Sequence, residues 1–152
     1  MASLSEELRV YEEMRRMRAH RDELSLARLQ LRKVQAPHRW INLQGQIRSE
    51  IVQVNLQAGR NVFRDIPIDG NAFHIFREDE TTLAVRFNRD LYRIECEFER
   101  CPEHNCFFEL MVKSVEGNDE TVWTDPHSRL SQTDAQIASY LLKTLLLCSV
   151  SY

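Results

Sequence analysis

The hydrophobic period of this chain changes twice, and that change restricts the fold more than any other feature. From Ser3 to Ala58 apolar residues recur at helical spacing. From about Val62 to Thr124 they alternate with polar ones, and from Ser131 to Cys148 the helical spacing returns. Helices, then short strands, then a helix give an α+β domain with an antiparallel sheet rather than a βαβ repeat. At 152 residues the chain suffices for one domain with a real core. The expected division is a single domain over 1–152: a helical arm at 1–36, an amphipathic helix at 37–59, a sheet at 60–125 and a C-terminal helix at 130–149.

Ser3 or Ser5 can cap the first helix, with Glu6 and Glu7 at the positive end of its dipole. Val10, Met17, Leu24 and Leu31 recur every seven residues, and Met14 shares their face. Arg21 and Arg28 hold the alternate seam positions, so a long two-stranded coiled coil is poorly specified. The arm reads as one long helix, or as two short ones broken near Asp22 and Ser25. Pro37 is expected to open the next helix, where its missing N–H costs nothing. In that helix Trp40, Leu43, Ile47, Ile51, Val54 and Ala58 form the cleanest amphipathic stripe, and Gly59 suits the residue just past its end.

Beyond Gly59 the alternation predicts a meander of about five to six strands. Asp69-Gly70-Asn71, Glu78-Asp79-Glu80, Asn88-Arg89-Asp90 and Gly117-Asn118-Asp119 punctuate it as turns. Ser131 is expected to cap the last helix, with Asp134 completing a capping box. Ile137, Leu141, Leu145 and Cys148 then form a stripe that should pack on the sheet.

One cluster has metal-ligand character: Cys96, Cys101, His104 and Cys106, three thiols and an imidazole within eleven residues. Its spacing, C-x4-C-x2-H-x-C, is no standard zinc arrangement. The preferred reading puts Cys96 and Cys106 on the inward face of adjacent strands as small apolar residues. Cys101 and His104 then fall in the exposed hairpin loop between them. Asp125 and His127 lie in the strand-to-helix connection, but no nucleophile stands near them in the sequence. No catalytic residue, glycine-rich phosphate loop or cofactor motif is recognised, and the four glycines are all isolated.

The formal charge is −3, unevenly spread. Residues 1–39 carry nine Arg and Lys against six Asp and Glu; the rest carry eleven against seventeen. A basic arm on an acidic body favours contact between them, and Glu95, Glu97, Glu99 and Glu109 offer a landing site. Acids flank Arg15, Arg16, Arg18 and Arg21, and Tyr11 is the one aromatic nearby, so nucleic acid is not an expected partner. No apolar run approaches the roughly 20 residues of a spanning helix, so no membrane partner is expected. The N-terminus lacks the apolar core of a signal peptide, and the expected setting is cytoplasmic, with four free thiols.

Three functional expectations follow. The first is a non-enzymatic interaction or assembly domain, a homo-oligomer or a partner of another protein, with Val10, Met14, Met17, Leu24 and Leu31 at the interface. The second is a small-molecule binder or enzyme with a pocket between sheet and helix lined by Phe73, Phe87, Tyr92, Phe98, Phe108 and Trp123. The third is a zinc-stabilised module at Cys96, Cys101, His104 and Cys106.

Overall fold

A computed structural model describes residues 3–149; residues 1–2 and 150–152, which the single-domain reading includes, lie outside the described residues. Ser3 starts the first helix, α1 (Leu4–Ala58), through a capping box with Glu6, and Gly59 ends it in the left-handed conformation at φ 70°. Between these caps the helix is continuous for 55 residues. The expected boundary at Pro37 is therefore absent: Pro37 lies inside the helix. An interior proline costs about 3 kcal/mol. Burial of Ala36 and Trp40 on either side of it fastens this stretch to the body and offsets that cost.

Seven antiparallel strands follow in simple sequential order: β1 (Phe63–Asp69), β2 (Ala72–Arg77), β3 (Thr82–Asn88), β4 (Arg93–Phe98), β5 (Cys106–Val115), β6 (Asn118–Thr124) and β7 (Ser131–Gln132). The chain is an α+β protein, with one strand more than the alternation predicts. That extra strand also corrects the start of the last helix. Ser131 is held by pairing with Thr124, so Thr133 caps α2 (Asp134–Leu147) in a box with Gln136. Asp134, freed from capping, accepts a hydrogen bond from Trp123 Nε1 at 3.1 Å.

The register puts one set of side chains on a single sheet face. Phe73 opposes Val85, Val85 opposes Cys96, Cys96 opposes Cys106, and Leu110 opposes Trp123. Of these, all but half-buried Cys106 are buried. The C-terminal half of α1 brings Trp40, Leu43, Ile47 and Ile51 to this core, and α2 adds Ile137, Ala138, Leu141, Leu142 and Leu145. The opposite face is polar: Arg86 reaches Glu95 at 2.8 Å, Arg93 reaches Glu95 at 3.0 Å, and Arg93 covers the Phe107 ring. One buried face and one wet face produce the strict period of two. Among the described residues, no helix is long and apolar enough to cross a membrane.

Candidate functional site

The helix α1 is longer than the body it serves. At 1.5 Å per residue its 55 residues span about 80 Å. A body of about 100 residues is closer to 30–35 Å across. Every residue from Leu4 to Gln30 is exposed, and the docked half begins where Arg28 meets Asp119 at 3.5 Å. Arg32 then bonds Glu109 at 2.9 Å and lies over the Tyr92 ring, Gln35 accepts from the Thr121 hydroxyl, and Arg39 stands 3.8 Å from Asp134. Of the acidic landing site expected for the arm, Glu109 is used. Glu95 is instead held by Arg86 and Arg93 of the sheet itself.

Four of the five interface candidates, Val10, Met14, Met17 and Leu24, are solvent-exposed on the projecting half of α1. Leu31 is half-buried where the helix meets the body. The apolar stripe does not stop there. Three residues after Leu24 and Leu31 come Ala27 and Val34, and seven after Val34 comes Ile41. With a 3.6-residue turn these lie on the side of α1 away from Trp40, Leu43 and Ile47. Val34 is 56% and Ile41 61% exposed, although they belong to the docked half. Sequence inspection with Arg21 and Arg28 as the alternate positions misses this seam. The three-residue step through Ala27 and Val34 is the signal that finds it.

The aromatic set is brought together, but around side chains. Trp40 stacks on Phe73 and Phe87 with ring centroids 5.7 and 5.6 Å away, and its Nε1 donates to the carbonyl of Gly70 at 2.9 Å. Phe73, Phe87, Phe98, Phe108 and Trp123 are all buried. Tyr92 is half-buried under Arg32. The indole thus occupies the space between sheet and helix.

The cysteines divide differently from expectation. Cys101 is buried and joined to Cys148 in a disulfide, with their Cα atoms 6.1 Å apart, so neither is the free thiol expected, and Cys101 is not an exposed loop residue. Packing of α2 on the sheet carries Cys148 to the β4–β5 hairpin across 47 residues of sequence, and nothing local signals the pairing. His104 is exposed in a short 3-10 turn (Pro102–His104), its ring edge-on to Phe98. Cys96 and Cys106 are free and face each other across β4 and β5. Among the described residues, no group of three or more His, Cys, Asp and Glu side chains is placed to hold a metal ion.

Cys106 and His104 open onto a cleft of about 380 Å³ between the β4–β5 hairpin, the β6–β7 connection and α2. Asp125, His127 and Tyr140 share its lining, so the fold gathers groups that the sequence keeps apart. The Cys96 thiol, beside Cys106 and fully buried, is pushed well above its ordinary value. Cys106 is held below its ordinary value by its hydrogen bond with Cys96, against burial and the nearby Asp125.

Compared with protein-family models, with curated proteins and with solved structures, the chain matches none.

Proposed function

We propose that this protein is a non-enzymatic interaction module that assembles with a second copy of itself through α1. The observation that carries the reading is the apolar surface of a helix whose first 27 residues, Leu4 to Gln30, are all exposed. Val10, Met14, Met17, Leu24, Val34 and Ile41 are each between 50% and 61% exposed on one helix. Burying the exposed half of such a side chain gains about 0.8–1.5 kcal/mol, so six per copy in a pair give on the order of 10–18 kcal/mol. Association costs about 4–15 kcal/mol in lost freedom. The midpoints of the two ranges leave a few kcal/mol in favour of association, which supports a dimer.

The occupant is a second copy for geometric reasons. A heptad-spaced stripe presents the same knobs and holes to a copy of itself, and a two-fold axis lets both copies bury it at once. The stripe also continues behind the docked half at Val34 and Ile41, so two bodies can sit on the outer sides of a shared helical seam. In this reading the setting is cytoplasmic, with Cys96 and Cys106 as free thiols. The Cys101–Cys148 bond would there face a reducing pool.

The test uses the full chain. Met17→Glu combined with Leu24→Glu places four like charges in a two-copy seam while altering side chains that are exposed in the single chain. Sedimentation equilibrium should then show the mass falling to that of one chain, with the far-ultraviolet spectrum unchanged. An unchanged assembly mass would overturn the reading.

A further inference from the structure

Cys96 and Cys106 occupy directly opposed positions on neighbouring antiparallel strands. Opposed residues in such a pair have Cα atoms about 4.5–5.5 Å apart, whichever type of pair they form. A disulfide requires about 4.4–6.8 Å, so the backbone already meets its requirement. Both side chains point to the same sheet face, as their neighbours Ile94, Phe98 and Phe108 do. The two sulfurs differ in access. Cys96 is 1% exposed beneath the sheet's helical cover, whereas Cys106 is half-buried and lines the cleft with His104, Asp125, His127 and Tyr140.

We propose that Cys96 and Cys106 form a redox dithiol, in which Cys106 reacts with a hydroperoxide entering the cleft and Cys96 resolves the product into a cross-strand disulfide. The inference goes beyond the assembly reading and does not depend on it: a stoichiometric redox switch leaves the module non-enzymatic, and neither sulfur lies on the projecting half of α1.

The chemistry balances without a metal or cofactor. The Cys106 thiolate attacks the terminal oxygen of the hydroperoxide and the O–O bond breaks. With hydrogen peroxide, Cys106 becomes a sulfenic acid, and the departing hydroxide takes a proton to leave as water. Cys96 then attacks the Cys106 sulfur: the S–S bond forms, the S–O bond breaks, and the leaving hydroxide takes the Cys96 proton as a second water. Two thiols are oxidised by two electrons and one peroxide is reduced to two waters. A small dithiol returns the pair to thiols by exchange.

The asymmetry sets the order of events. Cys106 opens onto the cleft, as a first nucleophile needs, while Cys96 is shielded beneath it, as a resolving thiol can be. The Cys101–Cys148 bond occupies the other two sulfurs and leaves no competing thiol among the described residues.

The experiment treats the full-length protein with stoichiometric hydrogen peroxide, followed by non-reducing trypsin digestion and mass analysis. Cleavage after Arg100 separates the peptide 94–100, carrying Cys96, from 101–113, which carries Cys106 and stays joined through Cys101 to the Cys148 peptide 144–152. The expected result is loss of both free thiols with 94–100, 101–113 and 144–152 in one linked species, reversed by a dithiol; 94–100 joined to 101–113 without 144–152 would mean exchange at Cys101 and would overturn the proposal. In Cys96→Ser, a dimedone-trappable sulfenic acid should accumulate at Cys106. In Cys106→Ser, oxidation at Cys96 should be slowed about tenfold or more. Both serine variants are checked by far-ultraviolet spectrum, and the wild-type digest stands without them. Overoxidation of Cys106 with Cys96 still a thiol, a bond between two copies, or no reaction at either sulfur would overturn the proposal.

Discussion

Arg77 reaches the carbonyl of Cys148 with Nη1 at 2.6 Å, and so ties the end of the last helix to the second strand of the sheet. The same nitrogen donates to the carbonyls of Leu145 at 2.9 Å and Leu146 at 3.1 Å. They lie at the helix end, where Leu145's carbonyl also accepts the Cys148 N–H at 3.3 Å, and α2 has no basic residue in its own last turn. The cation comes from β2 instead. Arg77→Ala should destabilise the fold by about 2–3 kcal/mol, since the hydrogen bonds lost are charge-assisted. Arg77→Lys should recover part of that, because an ammonium supplies the charge without the planar fork. Urea unfolding measures both; a loss below about 0.5 kcal/mol for Arg77→Ala would mean the helix end is held by other contacts.

Asp79 orients that guanidinium from the other side, with contacts at 2.8 and 2.7 Å. Arg77 first, with help from Thr81, holds the Asp79 carboxyl far below the usual carboxylate range. A carboxylate depressed in the folded state stabilises the protein fully above its unfolded value, about 3.9, and loses that contribution as pH falls further. The urea midpoint should therefore drop with acid below about pH 4. Asp79→Asn should lower stability at neutral pH and flatten this acid limb. An acid limb identical in wild type and variant would contradict the assignment.

Trp40 is the residue on which the docked half of α1 turns. Trp40→Ala should cost about 3–5 kcal/mol, and Leu141→Ala or Leu145→Ala about 2–5 kcal/mol, the usual ranges for buried truncations. Ile41, the next residue along, points to solvent, and Ile41→Ala should change the stability of a single chain by less than about 0.5 kcal/mol. Chemical denaturation of dilute protein separates these cases. A near-zero effect at Leu141 would show that α2 is peripheral to the core.

Much of this architecture is legible in the residues, for identifiable reasons. Phe73, Ile75, Leu83, Val85 and Phe87 alternate cleanly because the sheet buries one face and wets the other. Trp40 to Ile51 reads as a helix because its stripe packs on that face. Ser3 and Gly59 mark the helix ends because capping is local chemistry. What failed to show depends on contacts distant in sequence. Pro37 looks like a helix start until Ala36 and Trp40 are seen anchored to the body. Ser131 looks like a cap until its pairing with Thr124 is known. Cys101 looks like a loop thiol because Cys148 reaches it only after α2 has packed. The cleft joining Cys106 to Asp125, His127 and Tyr140 is assembled from the hairpin, the β6–β7 connection and α2, so no window of sequence contains it.

The Cys101–Cys148 bond closes a loop that spans β5, β6, β7 and α2. A bridge over 47 residues should stabilise by about 2–4 kcal/mol, chiefly by restricting the unfolded chain. Cys101→Ser with Cys148→Ser should lower the melting temperature accordingly and abolish the response of the wild type to reductant. A melting temperature that reductant leaves unchanged in the wild type would mean the bridge does not restrain the fold.

In the proposed assembly a second copy covers the apolar seam of α1, from Val10 through Leu24 to Ile41. This pairing is tested most directly by the absolute mass of the full-length protein at micromolar concentration, by light scattering after gel filtration. The expected mass is at least twice that of the 18.0 kDa chain. A monodisperse species with the mass of one chain would contradict it.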